Sequence, residues 1–302
     1  MTKELKKMEH PAPFVPYDKN LKGWNDLVVA EDYIDQKSKK ENKEMDEWAF
    51  RGQDTLDFPA STLERHCKKL DITGSKIVDL EVKLIRDFAR SYHLYTNRVL
   101  PPKGYTLEWL SLLNHYGTPT RLVDFTYSFF IAAYFALEDL EKGNACAVVW
   151  AVNVTQLAKA AKKHIGLAVA NGQNLFEKFK SKRDEKPFRD LFMARPHKFV
   201  LSTNPIRLNE RLTVQQGRFL APGDVTVSFE ENLRAVPNHS SYVMQFIIDG
   251  ACRQECLRKL HRMGINRATL FPDLEGFAKS LRTKSLILKD LPEQSVKQLK
   301  EV

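Results

Sequence analysis

His115-Tyr116-Gly117-Thr118-Pro119-Thr120-Arg121-Leu122-Val123-Asp124-Phe125-Thr126-Tyr127-Ser128 runs directly into Phe129-Phe130-Ile131-Ala132-Ala133-Tyr134-Phe135-Ala136, and this junction predicts the architecture. Pro119 disfavours helix at the residue before it and holds the chain extended. Leu122, Val123 and Phe125 then predict a short, mostly buried strand. Ser128 is placed to cap a helix over Phe129–Leu140, which is apolar almost all round. Such a helix needs a core on every side, so a strand and a helix are expected to meet at the centre of the molecule.

The neighbouring segments extend this pattern. Leu107–Tyr116 predicts a helix with Trp109, Leu110 and Leu113 apolar and Gly117 at C′. Ile77, Leu80, Leu84, Ile85 and Phe88 recur at helical spacing across Ser75–Leu94. Ser61-Thr62-Leu63-Glu64, after Pro59, reads as a capping box that opens a helix towards Leu70. In Trp48-Ala49-Phe50-Arg51-Gly52-Gln53 the apolar residues alternate with period 2, the mark of a short strand, and Gly52 ends it.

Downstream, Ala145–Val152 predicts a buried strand. Val154–His164 predicts a helix closing on Lys162, Lys163 and His164, cations that suit a C-terminus. Further strands are expected at Arg211–Phe219, Tyr242–Ile248 and Arg267–Phe271, and further helices at Cys252–Met263 and Leu274–Leu281. Strands and helices interleave without a regular βαβ rhythm, which selects the α+β class. Residues 1–45, with Pro11, Pro13, Pro16 and the mixed-charge run Lys37–Glu47, are expected to be peripheral. Residues 46–285 are read as the domain, with 166–196 as an insertion or lid around the charged run Lys178–Lys186, and 286–302 as a tail.

Composition narrows the class. A chain of 302 residues, 43% hydrophobic and 28% charged, is a globular composition and excludes disordered and collagen-like chains. No apolar run is long enough to cross a bilayer, and no apolar stretch follows the basic start, so neither a membrane anchor nor a secretory signal is expected. Four cysteines are too sparse for a disulfide scaffold; reduced thiols and a cytoplasmic location are the expectation. Cys252 and Cys256 lie one helical turn apart without a second ligand pair, and read as core thiols rather than a zinc site. The net charge of +9 attracts polyanions, or is simply a solvated basic surface.

No phosphate-binding Gly-x-x-x-x-Gly-Lys-Ser/Thr loop, no Gly-x-Gly-x-x-Gly turn and no Gly-x-Ser-x-Gly elbow occurs. Three stretches remain. Arg51 ends a strand beside a glycine, where a backbone can be approached closely, and its planar fork matches a phosphate or ribose hydroxyls. The competing reading is a structural ion pair with Asp54 or Asp124. Around Asp124, the stretch from His115 to Ser128 gathers ring, phenol, hydroxyls, arginine and carboxylate at a strand-to-helix junction whose free N–H groups suit anions. Thr126 and Ser128 can equally be caps. Val214-Gln215-Gln216-Gly217-Arg218-Phe219 offers two amides that can hydrogen-bond a ligand, or simply form a polar turn.

Together these stretches resemble the FRG domain. The resemblance rests on Trp-x-Phe-Arg-Gly-Gln at 48–53, His-Tyr-Gly-x-Pro-Thr-Arg-Leu-x-Asp at 115–124 with its continuation to Ala136, and Gln-x-Gly-x-Phe ending at Phe219. Phe271-Pro272-Asp273-Leu274 resembles the closing motif of that family. In motif order FRG domains are similar to ADP-ribosyltransferases, α+β folds with a split mixed sheet core and surrounding helices, which cleave NAD at its nicotinamide–ribose bond.

The resemblance implies that Arg51 and Gly52 hold NAD. Thr126 and Ser128 would stand at the Ser-Thr-Ser position, and His115 and Tyr116 would wall the cleft. Where those enzymes carry a catalytic glutamate, this sequence has Gln215 and Gln216, so an amide at Gln216 or the carboxylate of Asp124 or Glu210 must serve, with Asp124 preferred. The implied activity is NAD-dependent mono-ADP-ribosylation by an intracellular toxin of the toxin–antitoxin or anti-phage type. Its expected acceptor is a nucleic acid, RNA in the first place, or a protein. An inhibitory protein partner is expected, and no metal. The alternatives are a non-catalytic module that binds a nucleotide-like or nucleic-acid ligand, and NAD hydrolysis.

Overall fold

A computed structural model describes residues 15–17, 19–40, 46–97, 99–140, 145–181 and 186–287. The strands are β1 (Val15–Pro16), β2 (Trp48–Gln53), β3 (Val123–Thr126), β4 (Cys146–Asn153), β5 (Val200–Thr203), β6 (Gly217–Pro222) and β7 (Val243–Asp249). They form one sheet in the order β1-β7-β4-β2-β3-β6-β5. The central strand, β2, is antiparallel to both neighbours, with Phe50 opposite Ala151 of β4 and Thr126 of β3. Only the two-residue β1 pairs in parallel, with β7. The α+β class holds, but the sheet is continuous and antiparallel outside that edge, not split. The reason is that β2 bonds to β4 along its whole length and still reaches β3.

The helices are α1 (Trp24–Lys40), α2 (Thr62–Lys69), α3 (Ser75–Ser91), α4 (Thr106–His115), α5 (Phe129–Glu138), α6 (Val154–Ala168), α7 (Gly172–Lys180), α8 (Lys186–Phe192), α9 (Glu210–Val214), α10 (Phe229–Arg234), α11 (Arg253–Arg262), α12 (Arg267–Leu270) and α13 (Leu274–Ile287). Period-2 alternation gives the sheet two apolar faces. Trp48, Phe50, Val149, Ala151 and Phe246 meet α1, α5 and α11 on one side. Ala49, Trp150, Val152 and Phe125 meet α4, α6, α7 and α8 on the other. Helix α5 is enclosed as its all-round apolarity predicts, and Ser128 caps it by accepting from the Ile131 N–H at 3.3 Å.

Several local expectations are overturned. Arg211–Phe219 is not a strand. Asn209 accepts from the Leu212 N–H at 2.8 Å, starting the short helix α9, and β6 begins only at Gly217. Arg267–Phe271 is likewise the helical turn α12, held by a reciprocal cap between Asn266 and Thr269. Helix α6 continues past His164 to Ala168, so Lys162 and Lys163 do not serve its terminus; Lys162 instead pairs with Glu177 of α7. At α2, Ser61 accepts from the Glu64 N–H at 3.0 Å, but the Glu64 carboxylate does not turn back. It accepts instead from the Phe229 N–H at 3.0 Å, tying α2 to α10.

The stretch read as peripheral supplies Leu21, Leu27, Ala30 and Ile34 to the core, because α1 is amphipathic enough to cover one side of the sheet. The stretch read as an insertion or lid supplies Phe176, Phe179, Phe188, Leu191 and Phe192 to the opposite core. Residues 1–14 of the first segment and 288–302 of the tail lie outside the described residues. Among the described residues no helix is long and apolar enough to cross a membrane. Cys252 and Cys256 are free and buried, as core thiols should be.

Candidate functional site

The cleft is built where β2 ends. Arg51 is the fourth residue of that strand, opposite Trp150 of β4, and Gly52 follows opposite Val149. A Cβ on Gly52 would stand 1.8 Å from the Ala132 carbonyl oxygen and 2.6 Å from the Ala136 nitrogen. The glycine is therefore required by the approach of α5 to the strand, a role that does not depend on any ligand. That approach lets the C-terminal end of α5 form one wall of the cleft beside Arg51.

Two cavities adjoin at this point. The larger, about 730 Å³, is lined by Arg51–Asp54, the loop to Ala60, Glu64, Arg65 and Lys68 of α2, Phe135, Asp139, and Ser228 and Glu230 at the start of α10. The smaller, about 280 Å³, lies among Arg51, Asp124, Thr126, Glu138, Arg211, Gln215, Arg267 and Phe271. Arg51, Gly52, Phe135 and Asp139 belong to both. Their combined size is that of a small-molecule site.

Arg51 is neither sealed in nor neutralised. Its Nε donates to Gln53 Oε1 at 2.9 Å and its Nη1 to the Asp124 main-chain carbonyl at 2.7 Å. Both acceptors are neutral, and Nη2 has no partner among the described residues. The expected alternative, an ion pair with Asp54 or Asp124, is not formed. Burial lowers the Arg51 pKa, opposed by the Asp124 charge and reinforced by Arg65. An arginine so placed still carries its charge at neutral pH. Because it is partly stripped of water, it gains from an anionic ligand more than a surface arginine would.

The other expected residues divide. Asp124 and Thr126 of β3 and Gln215, which follows α9, line the smaller cavity with Arg51. Asp124 Oδ1 accepts from Asn114 Nδ2 at 2.8 Å, which orients the carboxylate. Thr126 donates to the Gln215 carbonyl at 2.8 Å, and Gln215 Nε2 donates to the Leu270 carbonyl at 3.0 Å, so both are engaged in holding α9 in place. Gln216 is exposed, at φ +48°, and lines neither cavity: the turn between α9 and β6 faces it away from the cleft. Glu210 starts α9 and also stays outside.

His115 borders a separate, very small crevice with Asn114, Asp124 and Arg211. Tyr116 stands in an aromatic crevice with Phe88, Tyr92 and Tyr95. Neither lines the two cavities at Arg51, although the His115 crevice shares Asp124, Arg211 and Gln215 with the smaller one. Ser128 is spent as a cap. Arg121, from the same stretch, is wholly buried against Glu81, with Nε at 2.8 Å, and is structural.

The sequence reading missed Arg65, Arg211, Glu138, Asp139, Arg267 and Phe271. Arg267 Nη1 pairs with Glu138 Oε2 at 2.8 Å, and Tyr134 donates to the other Glu138 oxygen at 2.7 Å. The Arg211 and Arg267 guanidinium groups each stand 4.5 Å from the Phe271 ring centroid. Asn209 and Asn266 were the available signals: each is an Asx cap that announces a helix, and the helical turn brings the arginine behind it inward.

Comparison with known families covers the motifs at 48–53 and 115–136; those at 215–219 and 271–274 lie outside the match. Residues 46–145 match the FRG domain. The FRG segment thus contains β2, α2, α4, β3 and α5, and with them Arg51, Gly52, Asp124 and Thr126. Arg211, Gln215, Arg267 and Phe271 enter the same cleft from outside the FRG match. No curated protein and no solved structure matches the chain.

Proposed function

We propose that the cleft binds a nucleotide and that the protein is a NAD-dependent mono-ADP-ribosyltransferase. The observation that carries this reading is Arg51: a charged guanidinium with unfilled donors, at the junction of two cavities, held by neutral acceptors only. Such a group is suited to a pyrophosphate. Phe58 and Phe135 give the larger cavity apolar surface for a base or ribose.

In this reading Asp124 takes the part of the carboxylate. Asn114 fixes one of its oxygens, and the other is open to the positive charge that develops on the ribose as the nicotinamide–ribose bond breaks. The bonding pair leaves with nicotinamide. The acceptor's nucleophile then bonds to the ribose carbon and gives its proton to Asp124. The net charge of +9 supports a nucleic-acid acceptor, RNA first. A cytoplasmic toxin restrained by an inhibitory protein partner is the biological setting this activity would suit.

One observation favours a second reading, a binding module that does not turn NAD over. No carboxylate from the α9–β6 segment lines either cavity. The test is incubation with NAD labelled in the nicotinamide ring, with and without RNA. The transferase reading expects nicotinamide release and labelling of an acceptor from adenylate-labelled NAD, both lost by at least about a hundredfold in Arg51→Ala. Binding without release would establish the module instead. Release with free ADP-ribose and no modified acceptor would mean hydrolysis.

A further inference from the structure

Of the three arginines in the smaller cavity, one is already neutralised and one is Arg51. Arg267 is paired with Glu138, whose side chain is only 5% exposed, so its charge is satisfied within the protein. Arg211 is different. It approaches from α9 and faces the Phe271 ring, and its guanidinium makes no hydrogen bond or ion pair among the described residues. Stacking occupies the flat face of a guanidinium and leaves its edge, where all the N–H donors lie, available.

We infer that Arg211 is the second half of a diphosphate clamp, with Arg51 from β2 as the first, and that the ligand is therefore a nucleoside diphosphate moiety. The inference rests on the nucleotide reading of the cleft and specifies its polarity: diphosphate in the smaller cavity, nucleoside in the larger. Geometry supports the division. Both arginines line the 280 Å³ cavity, whereas Phe58, Pro59 and the open volume lie on the other side of Arg51. Two planar forks offering parallel donors match two adjacent phosphates better than one carboxylate. Phe271 and the pair Arg267–Glu138 serve Arg211 as a platform. Burial lowers the Arg211 pKa, reinforced by Arg267 and opposed by Asp124, Asp273 and Glu275, none of which forms an ion pair with it.

Titration calorimetry of the full chain with ADP, AMP and adenosine tests this. The wild-type protein should bind ADP at least about tenfold more tightly than AMP, the weight of one charge-assisted contact. In Arg211→Gln the preference should collapse to near unity while adenosine binding stays as it was. Arg211→Lys, which keeps the charge on a different geometry, should recover only part of it. An unchanged ADP-to-AMP ratio in Arg211→Gln overturns the clamp, as does a wild-type protein that does not prefer ADP. If the ratio collapses but no nicotinamide is ever released, the clamp stands and the transferase reading falls. If release persists with the ratio unchanged, the reverse holds.

Discussion

Gly52 and Arg51 are adjacent and do opposite things. The glycine serves packing, since no side chain fits between β2 and the α5 backbone. Gly52→Ala is expected to force the helix off the strand and to lower stability by about 3 kcal/mol, at the upper end of what overpacking costs. Urea unfolding measures this directly. The arginine beside it contributes little that a neutral residue could not, because its two bonds go to an amide oxygen and a carbonyl. Arg51→Ala should therefore remove ligand binding with a far smaller change in unfolding midpoint than Gly52→Ala. Comparable losses of stability in the two variants would mean that Arg51 is structural after all.

Among the elements, α2 shows how a local signal is redirected by tertiary contact. Ser61 caps it as the motif demands, yet Glu64 leaves the box to accept from the Phe229 N–H at the start of α10. Burial pushes the Glu64 pKa up, with that hydrogen bond and Ser61, Arg65 and Lys68 opposing it. A carboxyl whose folded pKa exceeds its unfolded value binds more protons in the native state. Its contribution is fully present below the ordinary carboxylate range and is lost as pH rises through the elevated folded pKa. Wild-type stability should thus fall with pH over that interval, and Glu64→Gln should flatten the slope. Urea midpoints measured at intervals from pH 4 to 7 in both proteins provide the check. A steeper fall in the variant would place the pH dependence elsewhere.

For the molecule as a whole, the continuous sheet makes distant segments interdependent. Leu27 of α1 is completely buried in the core that also holds α5, so Leu27→Ala should cost roughly 3 kcal/mol by leaving a cavity. That loss should appear in one cooperative transition, because α1, β2 and α5 share a single apolar layer. A variant that loses helix signal separately, before the main transition, would show that the first segment is an independent appendage. The same layering explains the cleft: α5 ends, β2 ends and α2 begins at one place, and α9 and α12 close it from the far end of the chain.

How much of this is legible in the residues follows from the range of the forces involved. Alternation at 48–53, the all-apolar run after Ser128 and Gly117 as a C′ residue are signals carried by a few adjacent side chains, and β2, α4, β3 and α5 stand where those signals put them. Arg51 likewise lies on the strand its neighbours predict, but Gly52 does not end that strand: it pairs with Val149 and β2 runs on to Gln53. What required the folded chain was anything settled by partners far away in sequence. Two Asx caps outweighed strand propensity at 211 and 267, the charged run near 180 hid phenylalanines that fill a core, and Glu64 found a better donor at Phe229. Gln216 turned outward and Arg211 inward for the same reason: a helical turn rotates each residue by about 100°, whereas a strand alternates them, and only long-range packing selects between the two.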